Sequence, residues 1–297
     1  MRVLVTGANG QLGSDLMRCL NRRGETALAT DLPDLDITDE ALVRQTVAAS
    51  NPEAVIHCAA YTAVNRAEEE PERCYAVNVK GTSHLAKACA VLGTKLIYIS
   101  TDNVFWGNGS KLLETDDPKR ARNVYGQTKL LGEEVALGYC PKSFVVRTSW
   151  LFGKNGENFV KTMLRCANQD GSEEEALRIV ADQVGSPTYT RDLAALLCTM
   201  AAGEDYGVYH ATNEGFCSWA EFAKTIFRMA NLHKSVVGVA SRMDPGPAKR
   251  PLNSRLSKAS LDKSGFSRLP DWKDALGRFL EELKTENNYN AANTGVV

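Results

Sequence analysis

The sequence predicts an α/β fold, a doubly wound parallel sheet with a smaller C-terminal region. Three observations lead there. A β-branched run, Arg2-Val3-Leu4-Val5-Thr6, stops at a glycine-rich turn and gives way to a helical pattern through Leu16, Met17 and Leu20. Short apolar runs then alternate with helix-length amphipathic stretches as far as residue 150. Beyond 150 the alternation weakens, and a second, smaller region is expected to begin.

The 297 residues, 43% of them hydrophobic, can fill a sizeable core, and 35 basic against 36 acidic residues leave a net charge of -1. That balance gives no global field favouring nucleic acid or a membrane surface, so anion sites must be local. The eight cysteines contain no C-x-x-C pair, and runs such as Val55-Ile56-His57-Cys58-Ala59 make them read as small buried hydrophobes of a reducing compartment. The scattered His57, His84, His210 and His233 lack metal-ligand spacing and read as structural; no metal is expected. No apolar run approaches the roughly 20 residues that span a bilayer. A soluble cytoplasmic protein is the expectation.

The glycines of Gly7-Ala8-Asn9-Gly10-Gln11-Leu12-Gly13 allow a tight turn, close approach of backbone N–H groups to a pyrophosphate, and close helix-to-strand packing. This is the Rossmann-type arrangement, with a dinucleotide at the helix N-terminus. Thr26 to Thr30 forms the second strand and ends in Asp31, where a carboxylate accepts from ribose hydroxyls and repels a 2′-phosphate, a tilt towards NADH. Thr38 is the expected N-cap of a helix over 39–50, and Asp36 before it is either a loop carboxylate or an adenine contact. Ala54 to Cys58 is a nearly all-apolar third strand, as when both sheet faces are covered. It delivers Ala59-Ala60-Tyr61-Thr62, whose alanines either admit a flat cofactor or simply pack tightly. Pro71 to Val91 reads as one long helix carrying Asn78. Lys95 to Ile99 brings Ser100, Thr101 and Asp102 to the same carboxyl edge, where open parallel sheets bind ligands.

After a loop over 116–123 comes Tyr125-Gly126-Gln127-Thr128-Lys129 on a helix, where residues four apart share a face. A cation beside a phenol lowers its pKa from the usual value of about 10, which makes Tyr125 a candidate general acid or base. Ser143 to Thr148 is a further strand, delivering Thr148-Ser149-Trp150. There follow a helix over Asn158 to Asn168, a strand over Leu177 to Val180, a turn-rich loop from Asp182 to Thr188, a strand over Gly207 to Ala211 and a helix capped by Ser218. Residues 241–255 set Lys249, Arg250 and Arg255 among prolines, a basic loop that either suits a phosphorylated ligand or is merely solvated. The Asn-rich stretch over 285–297 has nothing to bury and is expected to be disordered. The expected division is an NAD(P)-binding Rossmann domain over 1–150, rejoined by a segment at about 186–214, with 151–185 and 215–284 as a substrate-binding region.

Together these segments resemble the extended short-chain dehydrogenase/reductases and, within them, the dTDP-4-dehydrorhamnose reductase family. The glycine turn and the Tyr125–Lys129 pair are shared by the whole superfamily. Arg147-Thr148-Ser149-Trp150, Asp182-Gln183-Val184-Gly185-Ser186-Pro187-Thr188 and Arg250-Pro251-Leu252-Asn253-Ser254-Arg255 are narrower, and the likeness covers nearly the whole chain. It implies reduction, by NADH or NADPH, of the 4-keto group of a dTDP-linked 6-deoxyhexose, giving dTDP-L-rhamnose for cell-surface polysaccharide. It also implies Thr101, Tyr125 and Lys129 as the catalytic set. Tyr125 would protonate the carbonyl oxygen, Thr101 would hydrogen-bond it, and Lys129 would hold the nicotinamide ribose and depress the Tyr125 pKa. Cofactor contacts are implied for Gly7 and Gly13 in the glycine turn, Gly10, Gln11 and Leu12 at the pyrophosphate, Asp31 at the ribose, and Asp36 and Ile37 at the adenine. Ala60, Tyr61 and Thr62 would border its middle, and Ala59, Asn78 and Ile99 complete the cofactor-binding set. Asp102, Asn103 and Trp150 would touch the substrate, with Lys249 and Arg250 at its diphosphate, and a homodimer is a candidate assembly.

Three positions depart from the family pattern. Asn103 replaces an aromatic residue, Trp106 stands before Gly107, and Asn65 replaces a usual aspartate. Another nucleotide-linked 4-keto-6-deoxysugar is therefore an alternative substrate. A dehydratase would need Glu in place of Asn103, which cannot transfer a proton. A non-catalytic NADP-binding regulatory subunit is a further alternative, against which the retained Thr101, Tyr125 and Lys129 argue.

Overall fold

The structure, a computed structural model, describes residues 1–168, 176–243 and 246–294. The chain opens with β1 (Arg2–Thr6), α1 (Gln11–Arg22), β2 (Thr26–Thr30), α2 (Glu40–Ser50) and β3 (Ala54–His57). Two short helices, α3 (Val64–Ala67) and α4 (Pro71–Tyr75), lead through a π-helical turn at Ala76–Gly81 into α5 (Thr82–Leu92), β4 (Lys95–Thr101), α6 (Val124–Tyr139) and β5 (Ser143–Thr148). Next come β6 (Leu151–Phe152), α7 (Phe159–Asn168), β7 (Leu177–Val180), β8 (Val184–Gly185), β9 (Thr188–Tyr189), α8 (Thr190–Ala202) and β10 (Gly207–His210). The remainder is β11 (Cys217–Ser218), α9 (Trp219–Ala230), β12 (Val236–Val239), β13 (Asn253–Ser254), α10 (Ala259–Lys263) and α11 (Trp272–Thr294).

Six strands form one parallel sheet in the order β10-β5-β4-β3-β1-β2. β3 and β5 are buried at every residue, as a parallel strand covered on both faces requires. Side chains alternate between those faces. Val3, Val5, Ile56 and Phe144 meet α1 and α8, while Leu4, Val55, Leu96 and Val145 meet α2, α5 and α6. Each fully buried side chain of this kind stabilises the fold by about 1.5–3 kcal/mol. A third cluster, around Phe152, Tyr189, Phe222, Trp272 and Phe279, holds the C-terminal region together. No helix among the described residues is long and apolar enough to cross a membrane.

Three local expectations are corrected. The cap of α2 is Asp39, whose Oδ1 accepts from Leu42 N at 2.9 Å. Thr38 instead donates through its own N (2.9 Å) and Oγ1 (2.7 Å) to Asp36 Oδ1, which closes the turn before the helix. Asp39→Ala should lower unfolding free energy by about 1 kcal/mol in urea denaturation, whereas Thr38→Ala leaves the cap in place. The long helix expected over 71–91 is interrupted by the π-turn, where Asn78 directs its side chain onto the Tyr61 backbone; such turns concentrate at functional sites. The stretch expected to be disordered from 285 continues α11 as far as Thr294, and 295–297 lie outside the described residues.

Candidate active site

The carboxyl ends of β1, β3, β4 and β5 open onto one cavity of about 650 Å³. Its floor is the glycine turn. Gly7 has φ +66°, and a Cβ there would lie 2.6 Å from Ala59 N; one on Gly13 would lie 2.1 Å from Gly7 O. No side chain caps the N-terminus of α1, so its first N–H groups are available to an anion. This cradle, too narrow for any side chain, fits a dinucleotide pyrophosphate. Forcing a methyl group into such packing costs about 1–3 kcal/mol. Gly13→Ala should therefore weaken NADPH binding in a fluorescence titration and lower the melting temperature.

Asp31, at the end of β2, accepts from Asn9 N and Leu32 N at 2.9 Å each, which ties the second strand to the glycine turn. Asp36, Ile37, Ala59, Ala60, Tyr61, Thr62 and Ile99 all border the cavity with it. Asn78 does not; it is buried behind the wall. Its Oδ1 accepts from Tyr61 N (2.9 Å) and its Nδ2 donates to Tyr61 O (3.2 Å) and Thr128 Oγ1 (3.1 Å), so it fixes the wall's backbone.

Thr101 Oγ1 donates to Asp102 Oδ1 (3.0 Å) and accepts from Asn103 N (3.2 Å) and Nδ2 (3.3 Å). Burial pushes the Asp102 carboxyl up, and the donors Ser254, Thr101 and Asn103 pull it back. Tyr125 faces the same space. Burial raises its phenol pKa, opposed by a hydrogen bond with Thr101. The expected depression by Lys129 is not what this geometry gives. The Lys129 ammonium lies 4.0 Å from the centroid of the Tyr98 ring, and burial brings its own pKa down to about 7, with Glu133 holding it up. Tyr125 is accordingly a protonated phenol at neutral pH, the form that can donate.

Beneath this pair lies a buried network that the sequence reading missed. Glu133, one turn beyond Lys129, accepts from Ser100 Oγ (2.5 Å), Arg147 Nε (2.8 Å) and Arg147 Nη2 (2.7 Å). Arg147 also donates to Thr115 O (2.9 Å) and His210 Nε2 (3.3 Å). Burial and the Arg147 charge lower the His210 pKa to about 3, so its ring is neutral.

The opposite wall comes from the C-terminal region. Trp150, at φ +50°, stacks on Trp219 with ring centroids 3.6 Å apart and planes inclined by 13°. Gly185 gives the indole room, since a Cβ there would lie 3.0 Å from Trp150 Cε2. Gln183, Trp219 and Ser254 also border the cavity; Gln183 and Ser254 lie in the two narrower family segments, but none of the three carries a site role in the sequence analysis. Arg250 lines it too, its pKa lowered by desolvation and partly restored by the Asp102 charge. Lys249 does not border the cavity, although both side chains are exposed, and its part is a carbonyl that accepts from Asn123 Nδ2 at 2.8 Å.

A family model described as the RmlD substrate binding domain matches residues 1–285. The chain is 44% identical to a dTDP-4-dehydrorhamnose reductase of Mycolicibacterium smegmatis, over 93% of this chain and 84% of that protein. It is 37% identical to a spore coat polysaccharide biosynthesis protein of Bacillus subtilis, over 95% and 97%. Among solved structures, a Bacillus anthracis dTDP-4-dehydrorhamnose reductase in complex with NADP superposes with a TM-score of 0.91 at 42% identity, over 95% of this chain and 99% of that one. With its glycine cradle and cavity in place and the likeness running over its whole length, the chain belongs to the dTDP-4-dehydrorhamnose reductase family.

Proposed function

We propose that the protein reduces the 4-keto group of dTDP-4-dehydro-L-rhamnose, giving dTDP-L-rhamnose for polysaccharide synthesis. The protein is an NAD(P)H-dependent oxidoreductase, and its substrate is a dTDP-linked sugar. The observation that carries the reading is the meeting of Thr101, Tyr125 and Lys129 with the glycine cradle in one cavity.

When bound, the reduced nicotinamide supplies the hydride. Gly7, Gly10, Gln11, Leu12 and Gly13 would hold the pyrophosphate, Asp31 the ribose, Asp36 and Ile37 the adenine side, and Ala59 to Thr62 the middle. Lys129 would hold the nicotinamide ribose. Thr101 would align the sugar carbonyl, and Tyr125 Oη would give its proton to the carbonyl oxygen as negative charge develops there, a general-acid step. Asp102, Asn103 and the Trp150 face would border the sugar, and Arg250 the diphosphate. The NADP complex of the Bacillus anthracis relative supports NADPH as a cofactor despite the carboxylate at Asp31.

Residues 1–150 with the returning segment at about 186–214 form the proposed cofactor-binding unit, and 151–185 with 215–284 the substrate-binding one. A homodimer belongs to the same reading: Val91, Leu92, Leu131, Leu137 and Tyr139 are exposed on α5 and α6, and light scattering would measure its mass. So does the cytoplasm, where all eight cysteines would stay as the free thiols seen here.

The test is to mix the protein with dTDP-4-dehydro-L-rhamnose and follow the absorbance of NADPH and NADH separately. Oxidation that needs the sugar is the expected outcome. Cofactor binding without turnover would overturn the reading. Because Asn103 carries no phenol, a second 4-keto-6-deoxysugar belongs in the same assay, and its kcat/KM relative to the rhamnose precursor decides between the two substrates.

A further inference from the structure

Two hydrogen-bonded links join the loop that carries Arg250 to the loop that carries Thr101. At one end, Asn123 Nδ2 donates both to Lys249 O (2.8 Å) and to Asn103 Oδ1 (2.9 Å). At the other, the Ser254 hydroxyl donates to Asp102. Asn103 closes the circuit by donating from Nδ2 to Thr101 Oγ1 (3.3 Å) and Asp102 Oδ1 (3.1 Å). Arg250 therefore sits between two anchors, four residues apart on its C-terminal side and adjacent on its N-terminal side.

Asn123 is 1% exposed and has a second duty. Its Oδ1 accepts from Gly126 N at 2.7 Å and so caps α6, whose first turn holds Tyr125. A cap needs only that acceptor, and serine or aspartate supplies it as well as asparagine does. What only the amide adds is a pair of N–H donors beside that acceptor, and their bonds go one to each loop. Contact between α6 and residue 103 is close on its own account: a Cβ on Gly126 would lie 2.3 Å from Asn103 O.

We propose that Asn123 is a positioning residue that yokes the Arg250 loop to the Thr101–Tyr125 pair, so that seating a nucleoside diphosphate and aligning the proton donor are set together. It touches no substrate and acts through Asn103 and the Lys249 carbonyl. The proposal rests on the reading of Arg250 as a diphosphate contact.

Asn123→Asp keeps the cap, removes the donor and turns a carboxylate towards Lys249 O and Asn103 Oδ1, whereas Asn123→Ser keeps the cap and leaves one shorter O–H in place of the two amide N–H donors. Both should lower the melting temperature by a few degrees, the aspartate more than the serine, because they leave buried acceptors without donors, and both should leave NADPH affinity near wild type. KM for the sugar nucleotide and the dissociation constant of dTDP alone should rise, and kcat should fall, each by about tenfold, the effect of one or two neutral hydrogen bonds. Asn123→Asp should be the more affected. In a double-mutant cycle on dTDP affinity, Asn123→Ser should add nothing to Arg250→Met. Additive effects, or unchanged constants beside a lowered melting temperature, would overturn the yoke. If Arg250→Met leaves dTDP affinity alone, the diphosphate reading falls and the yoke with it. If Arg250→Met weakens dTDP while Asn123→Ser changes neither constant, only the yoke falls.

Discussion

Tyr125→Phe should lower kcat by about 10²–10⁴-fold, the usual contribution of a positioned general acid, while NADPH affinity stays near wild type. The change removes one oxygen and keeps the ring that fills the wall. Single-turnover absorbance with saturating cofactor separates this loss from a loss of binding. A variant that kept most of its turnover would remove Tyr125 from its proposed role. The pH dependence follows from the same geometry. Burial holds the Tyr125 phenol above its ordinary value, so it stays protonated throughout the neutral range. Lys129 titrates at about 7, well below an ordinary lysine, because it is buried. A depressed base is charged only below its folded pKa. The proposed ribose contact through the Lys129 cation is therefore present below about pH 7 and lost above it. Accordingly, kcat/KM for the cofactor, which reports the free enzyme, should fall on the alkaline side of neutrality. A flat profile through pH 8 would sink that assignment of Lys129.

Glu133→Gln should destabilise the fold by about 3–5 kcal/mol in urea denaturation, since it leaves the guanidinium of Arg147 buried without its carboxylate. Both side chains are almost fully enclosed, 4% and 1% exposed, so solvent cannot screen the loss. The companion variant Glu133→Leu with Arg147→Met removes both charges at once. It should recover much of that stability, because replacing a buried pair by apolar side chains is often neutral. The two variants should share one functional consequence. Glu133 is the carboxylate that holds the Lys129 pKa up, so the alkaline limb of the cofactor profile should move to lower pH in both. Recovered stability without that shift would confine the pair to a packing role.

How far these features could be read from the chain depends on how local their causes are. The glycine turn, the strands and the Tyr125–Lys129 face are set by residues a few positions apart, and they stand where the sequence puts them. The Asp39 cap was missed by one residue because Thr38 and Asp39 are both good caps; Asp36, by capturing Thr38, decides between them. The π-turn had no signal, since its cause is Asn78 bonding to Tyr61, a residue in the preceding loop. Glu133 with Arg147, Trp150 with Trp219, and Asp102 with Ser254 are partners from different elements, and no periodicity links them. Lys249 and Arg250 could not be told apart by charge. Which of two adjacent cations faces a cavity is fixed by the backbone, here by the anchor at the Lys249 carbonyl.

The arrival of β10 from residue 207 has a consequence for biosynthesis. Until that strand docks, β5 is the margin of the sheet, and all six of its residues are destined for burial. While the ribosome adds the stretch from 149 to 206, the nascent chain must hold a sticky, unpaired margin open to solvent. Translation proceeds at about 5–20 residues per second, so the exposure lasts seconds, long compared with hydrophobic collapse. Chaperone dependence of this protein should therefore peak in that window and end once β10 clears the exit tunnel, and a stop codon placed between the two strands should yield aggregate rather than a smaller cofactor-binding protein.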